Sequence, residues 1–408
     1  MGNISGEIIK PSIKTLLEKL TLEKIFLISQ TRGFGCALYC LPNSNVKHLI
    51  IDRSGGSDLD HLQIDEMGKG FIFHPFSSKR HPIKFIDQDL HFSENIETKN
   101  IELLSSKSTP DKLMELFDTE NIYASKDSNE NGQDKSYQIN DQKTDFLKLI
   151  NKTIQEIKES KFQKVVIARN KMIELPEKFN PFDLFNSLSD QYNNAFVYMT
   201  FIPEVGSWLG ATPETLINID KTRQFQTVAL AATQAYRNDQ DLEDTTWSQK
   251  DIEEQAMVSR YIINCFKKIR LREFEEIGPR THLSGNLVHL KTDYNVDMDQ
   301  VAFPQLGSVM LELLHPTSAV CGMPKESAND FIQENEDFDR EYFSGFLGPV
   351  NLNEETNIFV NLRCMKVMKH YATLFAGAGI IVNSNPEKEW NETEIKMQTL
   401  LKVFREMY

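Results

Sequence analysis

The chain has 408 residues, of which 40% are hydrophobic, and its formal net charge at pH 7 is −14. This length allows a large buried core, in two or three domains or in one unusually large one. The acidic excess argues against binding of nucleic-acid phosphates, which requires a cationic surface. The negative net charge does not exclude a small anionic substrate, because a few basic groups can make a cleft locally positive.

The five cysteines are odd in number and show no paired C-x-x-C spacing, a pattern typical of reduced thiols. The first ten residues, MGNISGEIIK, lack the apolar core of a signal peptide. No apolar run approaches the roughly 20 residues of a membrane span. We therefore expect a cytoplasmic protein with neither a membrane nor a nucleic acid as its partner.

In chain order, residues 1–104 contain short apolar runs between turn residues and no recognisable chemistry. Residues 105–143 are polar and predict a surface loop or a partly disordered linker. The motif-bearing part, 144–408, begins with a helix predicted over 145–160 and a strand in KVVIARNKMIEL. Further β-rich runs alternate with long amphipathic helices, which predicts an α+β fold with large sheets. Those runs are FVYMTFI, SWLGA, TLINI, IFVNLRCMKV and TLFAGAGIIV.

Two predicted helices carry acidic side chains apart from their apolar stripes. In WSQKDIEEQAMVSRYIINCFKKIRL, Asp251 and Glu254 lie three residues apart on one face. In the last helix, Glu389, Glu392 and Lys396 share a face in the same way. The predicted apolar stripes are Ile252, Ala256, Ile263 and Phe266 in the first helix, and Met397, Leu400, Leu401 and Phe404 in the last.

The paired acids suggest a cation shared between the two helices, because like charges at i, i+3 weaken an isolated helix. Oxygen ligands favour magnesium or calcium over zinc, and one or two carboxylates completed by water and substrate oxygens are typical of magnesium. Charged residues are also common on solvated helix faces, so the spacing alone leaves both interpretations open.

From about residue 162 onward the sequence resembles the chorismate-utilising enzymes, and most closely the isochorismate synthases. Nine strings follow in the order seen in that family over a stretch of about 235 residues, whereas residues 1–160 match only in length. The strings are KVVIAR (164–169), GATPETL (210–216), LAAT (230–233), KDIEEQAMV (250–258), LVHL (287–290), LHPTSAVCGMP (314–324), FDREYFSGFLG (338–348), NLRCMK (361–366) and FAGAGIIVNSNPEKEWNETEIK (375–396).

The resemblance implies one chorismate-binding domain over residues 1–408, built from two stacked, mostly antiparallel sheets flanked by helices. The polar segment 105–143 would then be a loop within that domain. The resemblance also implies a Mg²⁺ ion held by one glutamate from each of two helices together with the substrate. The matching positions are Glu254 and Glu392, with Asp251 and Glu389 as nearby acids; Glu253 is the neighbour that a one-residue error in matching would select.

The family reaction adds water at C2 of the chorismate ring and expels the C4 hydroxyl, so it requires a base and an acid. Lys164 matches the base that activates water, and Glu214 matches the acid. Both roles need protonation states opposite to those of the free side chains at neutral pH, and burial favours each of them. Outside this pattern, Lys164 would be interpreted as a strand-edge lysine and Glu214 as a turn residue.

The remaining matches concern the substrate. Arg363 matches an arginine that pairs with a substrate carboxylate, for which a planar guanidinium is well suited. A backbone segment with small side chains would approach the substrate closely. The full set of expected substrate-binding residues is Arg363, Gly377, Ala378, Gly379, His289, Lys396 and Thr233.

One departure from the family pattern is Ala232 in LAAT, where the family usually has glycine. The added methyl group could crowd the pocket or exclude a positive φ. Anthranilate and aminodeoxychorismate synthases use ammonia from a glutaminase partner. Lys164 and the absence of a lysine in LAAT favour water instead, so no glutaminase subunit is expected.

A salicylate synthase, which goes on to eliminate pyruvate, is the close alternative. A catalytically silent chorismate-binding protein would be expected to lack some of these acids or the base. The motifs leave open whether the product feeds menaquinone or siderophore synthesis.

Overall fold

The computed structural model of the chain describes residues 17–18, 20–117, 142–236, 241–284 and 287–408. Its strands form two large sheets in which every pair of neighbours is antiparallel. The strands are β1 (Gly35–Cys40), β2 (Val46–Asp52), β3 (Ser57–Leu59), β4 (Gly70–His74), β5 (Ile83–Asp87), β6 (Leu90–Asn95), β7 (Ile101–Ser106), β8 (Lys164–Glu174), β9 (Phe196–Ile202), β10 (Gly206–Thr212), β11 (Thr215–Ile219), β12 (Gln224–Ala235), β13 (Glu275–Ser284), β14 (Leu287–Asp297), β15 (Gly322–Met323), β16 (Phe346–Val350), β17 (Thr356–Val360), β18 (Cys364–Val367) and β19 (Tyr371–Ile380).

The ten-stranded sheet has the order β15-β8-β19-β18-β10-β9-β1-β2-β6-β7, and the nine-stranded sheet has the order β13-β14-β12-β11-β17-β16-β4-β5-β3. The chain crosses between the sheets several times, so distant sequence segments become neighbours. The pairing of β8 with β19 brings KVVIAR alongside FAGAGI, with Val166 opposite Gly379.

The helices in the described residues lie outside the sheets. Amphipathic periodicity places their apolar side chains toward the sheets and their charged side chains toward solvent. They are α1 (Leu22–Thr31), α2 (Pro110–Leu116), α3 (Gln142–Lys158), α4 (Pro181–Gln191), α5 (Gln249–Lys268), α6 (Leu306–Leu314), α7 (Lys325–Asn335) and α8 (Pro386–Met407).

An aromatic-rich core lies between the two sheets. Tyr39, Tyr198 and Trp208 enter it from the ten-stranded sheet, and Phe71 and Phe359 enter it from the nine-stranded sheet. These large side chains supply much of the apolar area that folding removes from water. The two sheets are therefore stacked face to face, and the predicted α+β architecture is confirmed.

The outer faces of the sheets are covered by helices. Side chains of α1, α2, α4 and α8 pack on the ten-stranded sheet, and those of α5 and α6 pack on the nine-stranded sheet. A separate cluster joins α3 and α7 to the edge formed by β15, β8 and β19. Among the described helices, none is long and apolar enough to cross a membrane.

The first 143 residues contribute strands to both sheets, and one expectation about them is corrected. The segment 1–104 lacks recognisable motifs, yet its strands β1–β7 contribute to both sheets. The segment 105–143 is not entirely a loop, because β7 extends to Ser106 and α2 follows it. Residues 118–141 lie outside the described residues. The helix expected over 145–160 is confirmed as α3.

The β-rich run IFVNLRCMKV contains the end of β17 in one sheet and β18 in the other. In α5 the predicted apolar stripe is only half right. Ile252 is 49% exposed and Ala256 is also exposed, whereas Phe266 is buried and Ile263 packs against the core. The buried side chains of α5 are Gln255, Val258, Ile262, Cys265 and Phe266.

Candidate active site

Lys164 is the first residue of β8, and its side chain is buried, with only 3% of the residue exposed. Its Nζ atom lies 3.1 Å from Oε1 of Glu254 on α5. A Cβ atom at Gly379 on the neighbouring strand would lie 2.9 Å from Cε of this lysine. The missing side chain of Gly379 therefore provides the space in which Lys164 lies.

The expected glycine-rich segment has two faces, because successive strand residues point in opposite directions. The carbonyl of Gly377 accepts a hydrogen bond of 2.8 Å from Nζ of Lys396. Ala378 points the other way and is completely buried in the cluster beneath α3 and α7. Gly377 and Gly379 thus face Lys396 and Lys164, whereas the methyl group of Ala378 belongs to the core.

Helix α8 begins beside this segment. The side chain of Asn385 caps the helix by accepting from the backbone N–H of Lys388 at 3.1 Å, and Pro386 occupies the first turn. This start places Glu389 and Glu392 in the first two turns, where the helix dipole favours negative charge.

The two carboxylates differ in environment. Glu389 is 3% exposed, so it does not lie on a solvated helix face, which was one of the two interpretations that its spacing left open. Burial, reinforced by the charge of Glu392, raises the pKa of Glu389. Burial also favours the neutral form of Glu392, but the ammonium of Lys396 at 2.6 Å outweighs it and lowers the pKa of that carboxyl overall.

The acids of α5 have different partners. Asp251 completes a capping box: its Oδ2 atom accepts from the backbone N–H of Ser248 at 2.9 Å and from its hydroxyl at 2.7 Å. Glu254, one turn further on, faces Lys164. Glu253 is exposed and accepts a hydrogen bond from Gln249. Of the two adjacent glutamates, Glu254 is therefore the one that faces the site.

These carboxylates offer an all-oxygen donor set, which fits Mg²⁺. In the described part of the chain, no three His, Cys, Asp or Glu side chains converge in a way that could hold an ion. A magnesium site needs no such cage, since the ion usually keeps several waters and takes one or two carboxylates together with substrate oxygens. The donor set here fits that arrangement.

Glu214 lies in the turn between β10 and β11. Burial raises its pKa to about 7, although the charges of Arg363, Lys396 and Lys164 act in the opposite direction. Glu214 therefore lies close enough to the lysine at the start of β8 for the charge of that lysine to act on its carboxyl. A carboxyl with this pKa carries a proton for a substantial fraction of the time at neutral pH.

Arg363 lies between β17 and β18, where the chain passes from one sheet to the other. Its φ of 47° is in the left-handed region, which is uncommon for a residue other than glycine and recurs at functional sites. Its carbonyl accepts from the backbone N–H of Ala211 at 3.0 Å. The charges of Glu392 and Glu214 act on its guanidinium, so its side chain lies near both carboxylates.

His289 on β14 is buried, and burial lowers its pKa to about 4, so the ring is neutral at pH 7. Its Nδ1 atom lies 3.2 Å from the carbonyl oxygen of Ala232, to which it donates. Ala232 has a φ of 54° and sits in a bulge of β12. Alanine thus adopts the positive φ that favours glycine. The backbone of Thr233 lies opposite His289, and its side chain is outside the described part.

A family model described as chorismate binding enzyme matches residues 91–405. The chain belongs to the chorismate binding enzyme family. Among curated relatives, isochorismate synthase EntC of Escherichia coli K12 is 31% identical over 247 residues. The match covers 59% of this chain and 62% of that relative, which is less than two thirds of its length.

Two solved structures have the same fold as this chorismate binding enzyme. A protein described as the 2,3-dihydroxybenzoate-specific isochorismate synthase DhbC of Bacillus anthracis has a TM-score of 0.68 and 22% identity, with 96% of this chain and 98% of that one covered. MenF, the menaquinone-specific isochorismate synthase of Escherichia coli, has a TM-score of 0.69 and 20% identity, with 92% and 90% covered. At these identities the likeness concerns the fold.

Sequence reasoning about this chorismate binding enzyme missed Lys250. Its Nζ atom lies 3.8 Å from Oε1 of Glu389, and its charge also acts on Glu392. Lys250 precedes Glu254 by four residues, so the two share one face of α5. That spacing was visible in KDIEEQAMV, but the ion pair across to α8 depends on how the helices meet.

Proposed function

We propose that this chorismate binding enzyme converts chorismate to isochorismate by adding water at C2 of the ring and releasing the hydroxyl at C4. The observation that carries the proposal is the placement of Lys164 and Glu214 in one cleft, where the charge of the lysine acts on the carboxyl. The two groups come from different strand ends, as a reaction with a base and an acid on separate ring atoms requires.

Lys164 is the base. Its side chain is enclosed at the start of β8 in the space left by Gly379, so its nitrogen is held in one place. A base in fixed contact with its water contributes about 10²–10⁴-fold to the rate. In this role Lys164 acts as the neutral amine, after giving up the proton of its ammonium form, and takes a proton from the water that attacks C2.

Glu214 is the acid. Because burial raises its pKa to about 7, the carboxyl retains a proton near neutral pH and can transfer it to the departing C4 oxygen. Arg363 and Lys396 supply positive charge beside it and suit the two carboxylates of chorismate. When the substrate is bound, these two side chains stabilise its negative charges in place of the solvent.

Mg²⁺ is the proposed cofactor, with Glu254 and Glu392 as ligands and Glu389 beside them. When bound, the ion would neutralise a substrate carboxylate and hold the ring in one orientation. The carboxylates of α5 and α8 fit this task because they approach the cleft from different helices. Asp251 stays a more distant member of the group, since its oxygen caps α5.

Water as the nucleophile means that no ammonia-supplying glutaminase subunit is needed. The two structural neighbours are described as specific for different routes, one for 2,3-dihydroxybenzoate and one for menaquinone. We accordingly propose that isochorismate made by this chain, in the cytoplasm, enters either menaquinone or siderophore synthesis.

The test is incubation of the purified protein with chorismate and Mg²⁺, followed by chromatographic separation of the products. Isochorismate without pyruvate is the expected result. Salicylate formed together with an equal amount of pyruvate would replace this function with salicylate synthesis. Unchanged chorismate in the presence of Mg²⁺ would contradict both activities.

A further inference from the structure

Residues 361–363 carry the chain from one sheet to the other and are called the crossing. Backbone hydrogen bonds connect the crossing and its neighbour Val360 to two candidate site residues or their strands. The chain leaves the nine-stranded sheet after Val360 and reaches β18 of the ten-stranded sheet one residue after Arg363. The N–H of Val360 donates to the carbonyl of Glu214 at 2.9 Å, and the carbonyl of Arg363 accepts from Ala211 at 3.0 Å. A shift of this crossing would therefore move both the candidate acid and the candidate carboxylate-binding arginine.

Asn361 is the first residue of the crossing and is completely buried. Its side-chain Nδ2 donates to the carbonyl of Tyr342 at 2.9 Å, and its Oδ1 accepts from the hydroxyl of Tyr198 at 2.5 Å. Its backbone N–H donates to Gly345 at 2.8 Å, and its carbonyl accepts from Ser344 at 2.9 Å. A buried amide that uses its backbone and both ends of its side chain has one well-defined position.

The conformation of the crossing needs such support. The φ of 47° at Arg363 is unfavourable for a residue with a side chain and persists only where the surroundings determine it. A Cβ atom at Gly210 would lie 2.8 Å from the ring of Tyr198 and 3.0 Å from the carbonyl oxygen of Arg363. The backbone of β10 is thus pressed against both the tyrosine and the arginine.

We propose that Asn361, held by the Tyr198 hydroxyl, is a positioning residue for catalysis that fixes Arg363 through the backbone of the crossing and Glu214 through Val360. The inference rests on the proposed function, since it takes both residues as part of the chorismate site. Both side chains are completely buried, and the proposed role requires no contact between them and the reacting atoms. Their contribution is to hold a strained backbone in the geometry that substrate binding requires.

The test is Tyr198→Phe, which keeps the ring and removes the donor to Asn361. Loss of one buried hydrogen bond changes an equilibrium constant roughly tenfold. The calorimetric dissociation constant for chorismate should therefore rise about tenfold. In an Arg363→Ala background the same change should have less than about a twofold effect, because the residue being positioned is gone. Tyr294→Phe is the matched control: this buried tyrosine bonds to Glu276, away from the crossing.

Equal effects of Tyr198→Phe in the two backgrounds would overturn the positioning role, as would wild-type affinity in Tyr198→Phe. Asn361→Asp, which keeps the shape and loses the donor to Tyr342, should show the same dependence on Arg363. Absence of chorismate binding by the wild-type protein would contradict the proposed function instead.

If the wild-type protein does not bind chorismate, amide hydrogen exchange still tests whether Tyr198 and Asn361 hold the crossing in place. The Ala211 amide should exchange about tenfold faster in Tyr198→Phe than in Tyr294→Phe. Equal exchange at Ala211 in the two variants would contradict it.

Discussion

Lys164 and Glu254 form an ion pair, with 3.1 Å between Nζ and Oε1, although 90 residues separate them in the sequence. The pair joins the candidate base on β8 to the candidate metal ligand on α5. Because each side chain fixes the other, replacement of one residue changes the surroundings of its partner. The two residues nevertheless have different proposed roles, one as the base and one as a metal ligand. Variants at the two positions should therefore impair different steps: the reaction itself for Lys164 and Mg²⁺ binding for Glu254.

Lys164→Ala should lower kcat by about 10²–10⁴-fold, the usual contribution of a positioned base. Chorismate and Mg²⁺ should still bind, since the lysine acts mainly after binding. Steady-state kinetics combined with calorimetric binding measures both quantities. Lys171→Ala is the control, because Lys171 lies on the same strand and pairs with Glu394 instead. Wild-type kcat with only a raised KM would exclude Lys164 as the base.

Glu254→Ala and Glu392→Ala should each lower activity by more than about 100-fold, the upper range for residues that merely support metal ligands. Each should also weaken Mg²⁺ binding in a calorimetric titration, because the acids come from different helices and neither can replace the other. Glu253→Ala, at the exposed neighbouring position, should behave as wild type. Full activity of both single variants in chelator-treated buffer would eliminate the two-helix metal site.

Asp251→Ala should act mainly on stability. Its carboxylate caps α5, and loss of a cap costs about 1 kcal/mol in the free energy of unfolding. Chemical denaturation measures this directly. The loss of activity should be milder than for Glu254→Ala, since the cap positions the helix without facing Lys164. An Asp251→Ala protein of unchanged stability that no longer binds Mg²⁺ would instead make Asp251 a ligand.

The raised pKa of Glu214 predicts how activity depends on pH. With a pKa near 7 in the substrate-free protein, the acid loses its proton as the pH rises through 7, so kcat/KM should fall on the alkaline side. Glu214→Gln should have very low activity at every pH, because an amide keeps the shape but cannot deliver the proton. A wild-type profile that stays flat from pH 6 to about 9 would remove Glu214 from this role.

The raised pKa of Glu214 also makes the free energy of unfolding depend on pH. The ordinary pKa of this carboxyl is 4.5 and its folded value is about 7, so the folded state binds the proton more tightly. This contribution to stability is fully present below pH 4.5 and is lost as the pH rises through 7. Glu214→Gln should therefore gain stability relative to the wild type between pH 5 and pH 8 in urea unfolding. A constant difference between the two proteins would contradict the shifted pKa.

The motif strings selected residues that interact in the structure, whereas helical periodicity did not find the buried face of one helix. The charges of Lys164 and Arg363, two of the selected residues, act on the carboxyl of Glu214, a third. Helical periodicity finds residues that share a face but does not reveal which face meets a partner. In α5 the buried face includes Gln255, a polar residue that donates to Thr292 at 2.9 Å and to Ala229 at 3.2 Å. Hydrophobicity alone could not find that face.

The crossing at Asn361 shows a second limit. The run IFVNLRCMKV has strand-like composition throughout, and the change from one sheet to the other depends on bonds to Tyr198 and to the turn before β16. Those partners are distant in sequence. Similarly, strands β1–β7 carry no catalytic motif, since their role is to extend the sheets and the core between them.

Ala232→Gly should stabilise the protein by up to about 1 kcal/mol, because the left-handed conformation costs an alanine more than a glycine. Part of that gain is offset by the greater freedom of glycine in the unfolded chain. The matched control is Ala231→Gly, a neighbouring buried strand residue that should be destabilised by the same substitution. Destabilisation of both variants to the same extent would contradict the strain at Ala232.

The central claim is that Lys164 directs water to C2 of chorismate, and the most direct test is turnover in ¹⁸O-labelled water followed by mass spectrometry of the product. The account predicts isochorismate carrying one ¹⁸O atom, located at C2, and formation of this labelled product about 10²–10⁴-fold more slowly by Lys164→Ala. Isochorismate that contains no solvent oxygen would contradict water addition, and labelled isochorismate formed at the wild-type rate by Lys164→Ala would contradict the role of the lysine.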